Sequence, residues 1–202
     1  MYQQVYHHKT TRGAERLFQA VVRRARLLCR QGLLPREAPL APILLGTAGV
    51  EEYLELDDVE LWVALKRWRE GPDPILADLS RRLLERRLFK PVYRRTFREV
   101  DEEAVAEAHR LAADEVRAAG CDPEFYLHLD RTGRPGYAPY QGAGAGSPPI
   151  WVEDERGRPV PLEELSPTVA ALTVPRQAIV WYAPEELRPR LAPLLRRAME
   201  AA

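Results

Sequence analysis

The spacing of the apolar residues changes near Gly120, and this change constrains the fold more than any other feature. Before it, apolar side chains recur every three or four residues, the pattern of amphipathic helices. After it, FYLHLD alternates apolar and polar residues, as a strand does. The sequence therefore predicts an α+β fold: a mainly helical N-terminal half, then a small antiparallel sheet and a closing C-terminal helix. We divide it into a helical region, residues 1–100, and an α+β region, residues 101–202.

Four helices are predicted before Gly120, and the starts of the last three are marked by capping residues. Asp57 and Glu60 have capping-box spacing, and Asp73-Pro74 provides an N-cap followed by proline at the first helical position. The predicted helices run from Tyr2 to about Arg30, from Asp57 to Gly71, from Pro74 to about Arg87, and from Asp101 to Gly120. The apolar stripe predicted for the second helix consists of Val59, Trp62, Val63, Leu65 and Trp68.

The connections and the second half follow from turn signals. Segment 33–49 contains three prolines and two glycines, which favours a loop. LFKPVYRR is too short and proline-containing to be helical. Further along, we expect a strand at 125–130, a hairpin around Gly157, a strand at 177–182 and a helix from Pro184 to about Glu200.

Composition excludes several classes of protein. The chain has 30 basic and 30 acidic side chains, so no long-range field favours nucleic acid or an anionic membrane. Cys29 and Cys121 form neither a CxxC motif nor a Cys/His cluster. The N-terminus has no apolar signal core, and no apolar run approaches the roughly 20 residues of a membrane span. We expect a cytoplasmic protein that does not enter a membrane.

Most single motifs are better explained by structure than by chemistry. QGAGAGSPP is not followed by Gly-Lys-Ser/Thr, so we interpret it as a loop and not as a phosphate cradle. His7 and His8 diverge by about 100° on a helix and cannot share a metal. His128 and Asp130 share a strand face, interpreted as solvated. His109 is interpreted as a partly exposed or core histidine, and the four tryptophans as core.

Two clusters combine cations with apolar groups. Tyr6 and Lys9 lie three apart on a helix face that continues to Arg12 and Arg16. Arg86 and Lys90 lie four apart at a helix end and flank Leu88 and Phe89, which we expect to anchor the turn. Taken singly, each cluster is also compatible with an ordinary solvated face.

The order of three segments resembles the HD-domain dNTP triphosphohydrolases: MYQQVYHHKT, then YLELDDVELWVAL, then RRLLERRLFKPV. They cover about the first half of the chain, and the later strands are similar to the C-terminal region of bacterial members. The resemblance implies that Tyr6 lies beside the substrate nucleotide. It also implies that Lys9, Arg86 and Lys90 hold the phosphates of a regulatory nucleotide between subunits, a task suited to converging cations.

One departure from that family is large, because no His-Asp dipeptide occurs in the chain. HD enzymes use such a pair to bind the metal that polarises phosphate or activates water. We therefore expect no catalytic residue, metal or other cofactor in this chain, which would not be catalytic alone. The metal would belong to a missing HD domain, and Mg²⁺ would accompany a bound nucleotide. A fragment, a split gene or a misassigned start codon would explain this.

Three hypotheses follow from these observations. In the first, the chain is the C-terminal regulatory and oligomerisation part of an HD-type dNTP triphosphohydrolase. Its partners are then deoxynucleoside triphosphates, an HD catalytic domain in cis or in trans, and further copies of itself. The second is a stand-alone, non-catalytic nucleotide-binding or scaffold protein. The third, disfavoured by the neutral charge, is a binder of single-stranded nucleic acid. An exposed apolar helix face is expected where the missing domain docks.

Overall fold

A computed structural model describes residues 9–34, 40–97, 101–132, 150–173 and 177–200. The helices are α1 (Lys9–Arg30), α2 (Leu40–Leu45), α3 (Val50–Leu54), α4 (Asp58–Trp68), α5 (Pro74–Leu84), α6 (Glu102–Ala118), α7 (Pro123–Tyr126), α8 (Leu162–Leu165), α9 (Pro167–Thr173) and α10 (Arg188–Glu200). The strands are β1 (Lys90–Phe97), β2 (His128–Thr132), β3 (Trp151–Glu153), β4 (Pro159–Pro161) and β5 (Gln177–Ala183). Among these described residues, no helix is both long enough and apolar enough to span a membrane.

The helix starts predicted at Asp57, Asp73 and Asp101 are confirmed, whereas the start predicted at Tyr2 lies outside the described residues. Asp57 accepts hydrogen bonds from the backbone amides of Val59 and Glu60 at the start of α4. Asp73 accepts from the amide of Leu76 in the same way, with proline at the first position of α5. Each carboxylate pairs amides that the first helical turn leaves without a partner.

The fold is α+β, as the sequence predicts. β5 is the central strand of an antiparallel sheet in the order β1-β5-β2, and β3 pairs with β4 in a separate hairpin. Gly157 has φ +71° within the hairpin turn, which glycine adopts without steric cost. One hydrophobic core cluster contains residues on both sides of position 100, from α1 to α10. The division into regions 1–100 and 101–202 stays a prediction.

Helix α1 approaches the start of β1 unusually closely because it carries a glycine at the crossing. A Cβ atom added to Gly13 would lie 2.1 Å from the carbonyl oxygen of Phe89. Phe89 is buried in the core, so the turn after α5 is anchored as predicted. This approach brings the first turns of α1 onto one face of the sheet.

Two assignments of secondary structure were wrong. Segment 33–49 contains a helix, α2, because Leu40 and Leu44 lie four apart and bury one face in the core. Tertiary burial outweighs the local proline signal there. The strand predicted at 125–130 begins only at His128, because Asp122 and Pro123 start the short helix α7.

The predicted burial of α4 was also wrong in part. Leu65 and Trp68 are buried, whereas Val59, Trp62 and Val63 are exposed. Of the other two tryptophans, Trp181 is fully buried, but Trp151 is 55% exposed and does not belong to the core. Apolar residues thus occupy two different sides of α4.

Candidate functional site

A cavity of about 420 Å³ lies where the start of α1 meets the sheet and α10. Arg188 and Arg196 come from α10, about two helical turns apart. The remaining lining residues are Lys9, Arg12, Pro91, Val92, Tyr93, Arg94, Asp130, Val180 and Tyr182. A volume of this size falls in the range of small-ligand sites.

Strand register places two oppositely charged residues on the same side of the sheet. Asp130 of β2 and Arg94 of β1 both pair with Val180 of the central strand. Residues in one such row point to the same face, because side chains alternate along each strand. That face is the one that α1 covers, so Arg12 and Arg16 reach Asp130 across the helix–sheet interface.

Asp130 is the centre of a buried ion cluster. Its side chain is 1% exposed and accepts two hydrogen bonds from Arg12, from Nε at 2.8 Å and from an Nη at 2.5 Å. Arg16 donates a further hydrogen bond to the same carboxylate. Burial alone would raise the pKa of Asp130, but the two arginines outweigh it and hold the pKa below its usual value. The carboxylate is therefore ionised and fully engaged.

The other cations of the cavity are not compensated in this way. Within the described part of the chain, Lys9, Arg94, Arg188 and Arg196 form no ion pair with a carboxylate, and all four are exposed. The phenol groups of Tyr93 and Tyr182 add polar contacts to the same walls. Four open cations around one concave site suit an anion of several charges, such as a polyphosphate.

The structure does not bring all predicted site residues together. Lys9 lines the cavity, whereas Tyr6 lies outside the described residues. Lys90 directly precedes the lining residue Pro91 but is not itself part of the wall, and neither is Arg86. His7, His8 and the QGAGAGSPP segment also lie outside the described residues.

Arg86 has an unusual backbone conformation. Its φ is 58°, in the left-handed region that favours glycine. The amides of Arg86 and Arg87 donate to the carbonyl oxygens of Leu83 and Arg82 at the end of α5, the pattern of a Schellman motif. An arginine thus occupies the position where helix ends most often place glycine.

The interpretation of His128 and Asp130 as a solvated strand face was wrong. His128 is 6% exposed, its Nε2 lies 3.1 Å from the carbonyl oxygen of Phe125, and its ring lies against Phe89. Burial lowers the pKa of His128 to about 4. The partners that make burial of Asp130 possible are Arg12 and Arg16, more than a hundred residues away in sequence.

Sequence reasoning missed Arg94, Arg188 and Arg196 as members of one site. Arg188 and Arg196 flank the apolar positions of a helix, which in sequence is indistinguishable from a solvated face. Only the pairing of β1 with β5 and the packing of α10 on β1 bring the three together. His109 has a structural partner, since its Nδ1 accepts a hydrogen bond from the Trp181 indole at 3.3 Å.

The described residues do not fit a metal site. They contain no group of three or more His, Cys, Asp or Glu side chains that could hold a metal ion. The carboxylate in the cavity is already engaged by two arginines.

Comparison with known proteins agrees with this geometry at the level of the fold. The uncharacterised protein YwfO of Bacillus subtilis is 33% identical over 132 residues, 64% of this chain and 29% of YwfO. A phosphohydrolase from Bacteroides thetaiotaomicron has a similar fold, with a TM-score of 0.61 and 22% identity, covering 92% of this chain and 47% of the other. A hypothetical protein from Aquifex aeolicus is also similar, with a TM-score of 0.54 and 19% identity, over 96% of this chain and 42% of the other.

The chain thus spans less than half the length of each of these relatives. A family model described as "HD associated region" matches residues 1–200. The chain therefore belongs to the family of HD associated regions.

Proposed function

We propose that this chain is the regulatory and oligomerisation part of an HD-type dNTP triphosphohydrolase, and that its cationic cavity binds the phosphates of a nucleotide. The observation that carries the proposal is the set of four open cations, Lys9, Arg94, Arg188 and Arg196, around one cavity of about 420 Å³. Membership in the HD associated family and the fold shared with a phosphohydrolase support it.

The charge distribution favours a triphosphate over a small monovalent anion. A nucleoside triphosphate carries several negative charges along a short chain, and each charge-assisted hydrogen bond to Lys or Arg is stronger than a neutral one. Tyr93 and Tyr182 provide aromatic walls with hydroxyl groups beside these cations. Mg²⁺ would enter with the nucleotide, bound to its phosphates.

Four residues keep the roles that the family resemblance implies. Tyr6 borders the substrate of the catalytic domain, and Lys9 contributes to the regulatory phosphate site in the cavity. Arg86 and Lys90 do not line the cavity of their own subunit, so we assign them to the nucleotide bound at a neighbouring subunit. The HD domain, in cis or in trans, would supply the metal and hydrolyse a deoxynucleoside triphosphate to a deoxynucleoside and triphosphate.

A ligand shared between subunits would couple nucleotide binding to assembly. Any nucleotide that contacts two subunits binds the assembled state more tightly, and assembly in turn raises nucleotide affinity by the same factor. The regulatory part would thereby report the dNTP concentration to the catalytic part.

The test is a calorimetric titration of the chain with dGTP and with dATP in the presence of Mg²⁺. Truncation of a cationic phosphate contact removes a charge-assisted hydrogen bond, so Arg188→Ala is expected to weaken binding by roughly tenfold or more. Arg197→Ala is the matched control, because Arg197 is exposed on the same helix and does not line the cavity. Lys9→Ala is compared with Lys66→Ala, an exposed lysine on α4.

The result also separates the other hypotheses. Binding that is lost in Arg188→Ala and Lys9→Ala but kept in both controls supports the proposal. Dependence of oligomer mass on dGTP, lost in Arg86→Ala, supports the regulatory role, and nucleotide binding without any such change favours the stand-alone nucleotide-binding protein. Salt-sensitive binding of a single-stranded oligonucleotide without a response to dGTP or dATP would contradict the proposal.

A further inference from the structure

Helix α4 carries apolar stripes on two opposite sides. Its buried stripe is Ala64, Leu65 and Trp68, which pack into the core. The second stripe is Val59, Trp62 and Val63, all exposed, with Trp62 at 48%. At about 100° per residue the centres of the two stripes lie nearly opposite on the helix. A helix that is apolar on two opposite sides is usually buried against other structure on both of them.

Helix α3 continues this exposed surface. Val50, Tyr53 and Leu54 lie at positions i, i+3 and i+4 and are all exposed. We name these three residues together with Val59, Trp62 and Val63 the α3–α4 face. Patches of clustered apolar side chains, as opposed to scattered ones, mark interaction surfaces.

The α3–α4 face is strongly acidic. Segment 50–63 contains six carboxylates and no Lys, Arg or His. Because the whole chain has 30 basic and 30 acidic side chains, the remainder carries 30 basic against 24 acidic. The rest of the chain therefore carries a net positive charge, opposite to the charge of this face.

A basic and apolar surface of matching character lies on the outer side of α1. Phe18, 36% exposed, and Val22 lie beside Arg23 and Arg26, and these four with Gln19 line a shallow hollow of about 290 Å³. Arg30 is exposed one turn further along the same side. We name Phe18, Val22, Arg23, Arg26 and Arg30 the α1 outer face.

The guanidinium groups of this hollow are held in place but not neutralised. Arg23 donates to the carbonyl oxygen of Glu124 at 3.1 Å, and Arg26 donates to that of Leu44 at 2.9 Å. Neither forms an ion pair with a carboxylate among the described residues. An arginine held at the rim of an apolar hollow can stack on an indole ring, which is the most favourable aromatic partner for a cation.

We propose that the α3–α4 face of one copy of the chain docks on the α1 outer face of a second copy, with Trp62 seated in the hollow between Phe18 and Arg26. Three observations point to this occupant: the opposite charges of the two faces, the apolar groups within both, and the presence of a hollow on one face and an exposed tryptophan on the other. The contact does not require a nucleotide, so its test is independent of the proposed phosphate site.

Charge reversal tests the pairing without identifying any further component. Replacement of Glu51, Glu55, Asp58 and Glu60 by lysine leaves two carboxylates against four lysines and makes the α3–α4 face basic, while Glu52 and Asp57 keep their capping hydrogen bonds. Arg23→Glu/Arg30→Glu makes the α1 outer face acidic. Each variant alone then opposes like charges and is expected to lose self-association, measured by sedimentation velocity. In a mixture of the two, every contact again joins opposite charges, so association is restored. No side chain replaced here belongs to the core.

The tryptophan provides a second test with a matched control. Trp62→Ala is expected to weaken self-association by roughly 30-fold, the effect of a central tryptophan at an interface. Trp151→Ala removes a tryptophan of similar exposure from the β3–β4 hairpin and is expected to leave association unchanged. Far-UV circular dichroism establishes that each variant is folded.

Three outcomes would overturn the proposal. The first is a wild-type chain that stays monomeric up to about 200 µM, a concentration at which even weak contacts form. The second is a mixture of the charge-reversed variants that fails to associate while both are folded. The third is equal association of the Trp62→Ala and wild-type chains, which would place the contact elsewhere.

Discussion

Replacement of Asp130 by asparagine is expected to destabilise the fold and to strengthen anion binding in the cavity. Removal of one partner from a buried ion pair costs about 3–5 kcal/mol of unfolding free energy. Arg12 and Arg16 keep 18% and 20% side-chain exposure. Water therefore screens part of this ion pair, and we expect the loss of unfolding free energy to be about 3 kcal/mol, the lower end of that range. For a chain of this size that corresponds to roughly 6–12 °C in Tm.

The two effects of Asp130→Asn have the same origin. The native carboxylate competes with any anion for Arg12, which lines the cavity, and also engages Arg16, so its loss releases both guanidinium groups from this ion pair. Affinity for inorganic tripolyphosphate is expected to rise by about tenfold, the effect of one added charge-assisted hydrogen bond.

Urea denaturation followed by circular dichroism measures the stability, and calorimetric titration with tripolyphosphate measures the affinity. The matched control is Asp114→Asn, because Asp114 also pairs with two arginines, Arg110 and Arg117, at 3.2 and 2.7 Å but on the exposed side of α6. An exposed pair of this kind contributes less than about 1 kcal/mol. If Asp130→Asn behaves like Asp114→Asn, the ion cluster does not stabilise the fold. If tripolyphosphate affinity falls in Asp130→Asn, the carboxylate does not compete with anions.

Three further predictions concern single positions. Gly13→Ala would place Cβ 2.1 Å from the oxygen of Phe89, so denaturation should reveal a loss of about 3 kcal/mol, whereas alanine usually stabilises a helix relative to glycine; a stabilised variant would contradict the close approach. Burial lowers the pKa of His128 to about 4, so between about pH 6.5 and pH 4 the histidine is protonated in the unfolded chain but not in the folded one. The free energy of unfolding is therefore highest above about pH 6.5 and falls towards pH 4; if the His128→Gln variant keeps the wild-type dependence of this free energy on pH, the histidine is not its source. Arg86→Gly relieves a positive φ and should raise Tm through a gain of about 1 kcal/mol while abolishing the effect of dGTP on oligomer mass, and a gain in stability with that effect retained would exclude a role in nucleotide binding.

Local signals were sufficient for the five longest helices of the described residues, α1, α4, α5, α6 and α10, but not for the five short ones. Asp57, Asp73 and Asp101 each cap a helix through hydrogen bonds to amides two or three residues ahead, so the information lies within one turn. The same is true of the hairpin around Gly157, whose turn depends on one residue with positive φ. Of the three strands of the main sheet, β2 and β5 were predicted from the sequence, whereas β1 was not.

The errors arose where distant residues decide the outcome. His128 and Asp130 alternate as a solvated strand would, and only the arginines of α1, more than a hundred positions earlier, make their burial favourable. In α4 the apolar periodicity is genuine, but it cannot distinguish a side that packs in the core from a second side that stays exposed. Trp62 and Trp68 belong to these two sides, which explains why one prediction was confirmed and the other was wrong.

The cavity itself was beyond the reach of sequence reasoning for the same reason. Lys9 was selected from a family resemblance, whereas Arg94, Arg188 and Arg196 have no local feature that separates them from other surface arginines. Their convergence depends on the pairing of β1 with β5 and on the packing of α10 against β1. Because arginine is frequent throughout the chain, its occurrence in the sequence does not indicate which arginines share a site.

The most direct test of the phosphate site is a crystal structure of the chain with dGTP and Mg²⁺ at saturating concentration. The account predicts that the triphosphate lies in the cavity within hydrogen-bond distance, roughly 2.7–3.2 Å, of Lys9, Arg94 and Arg188. Density for the nucleotide at another surface, or an empty cavity at a concentration that saturates binding in solution, would contradict it.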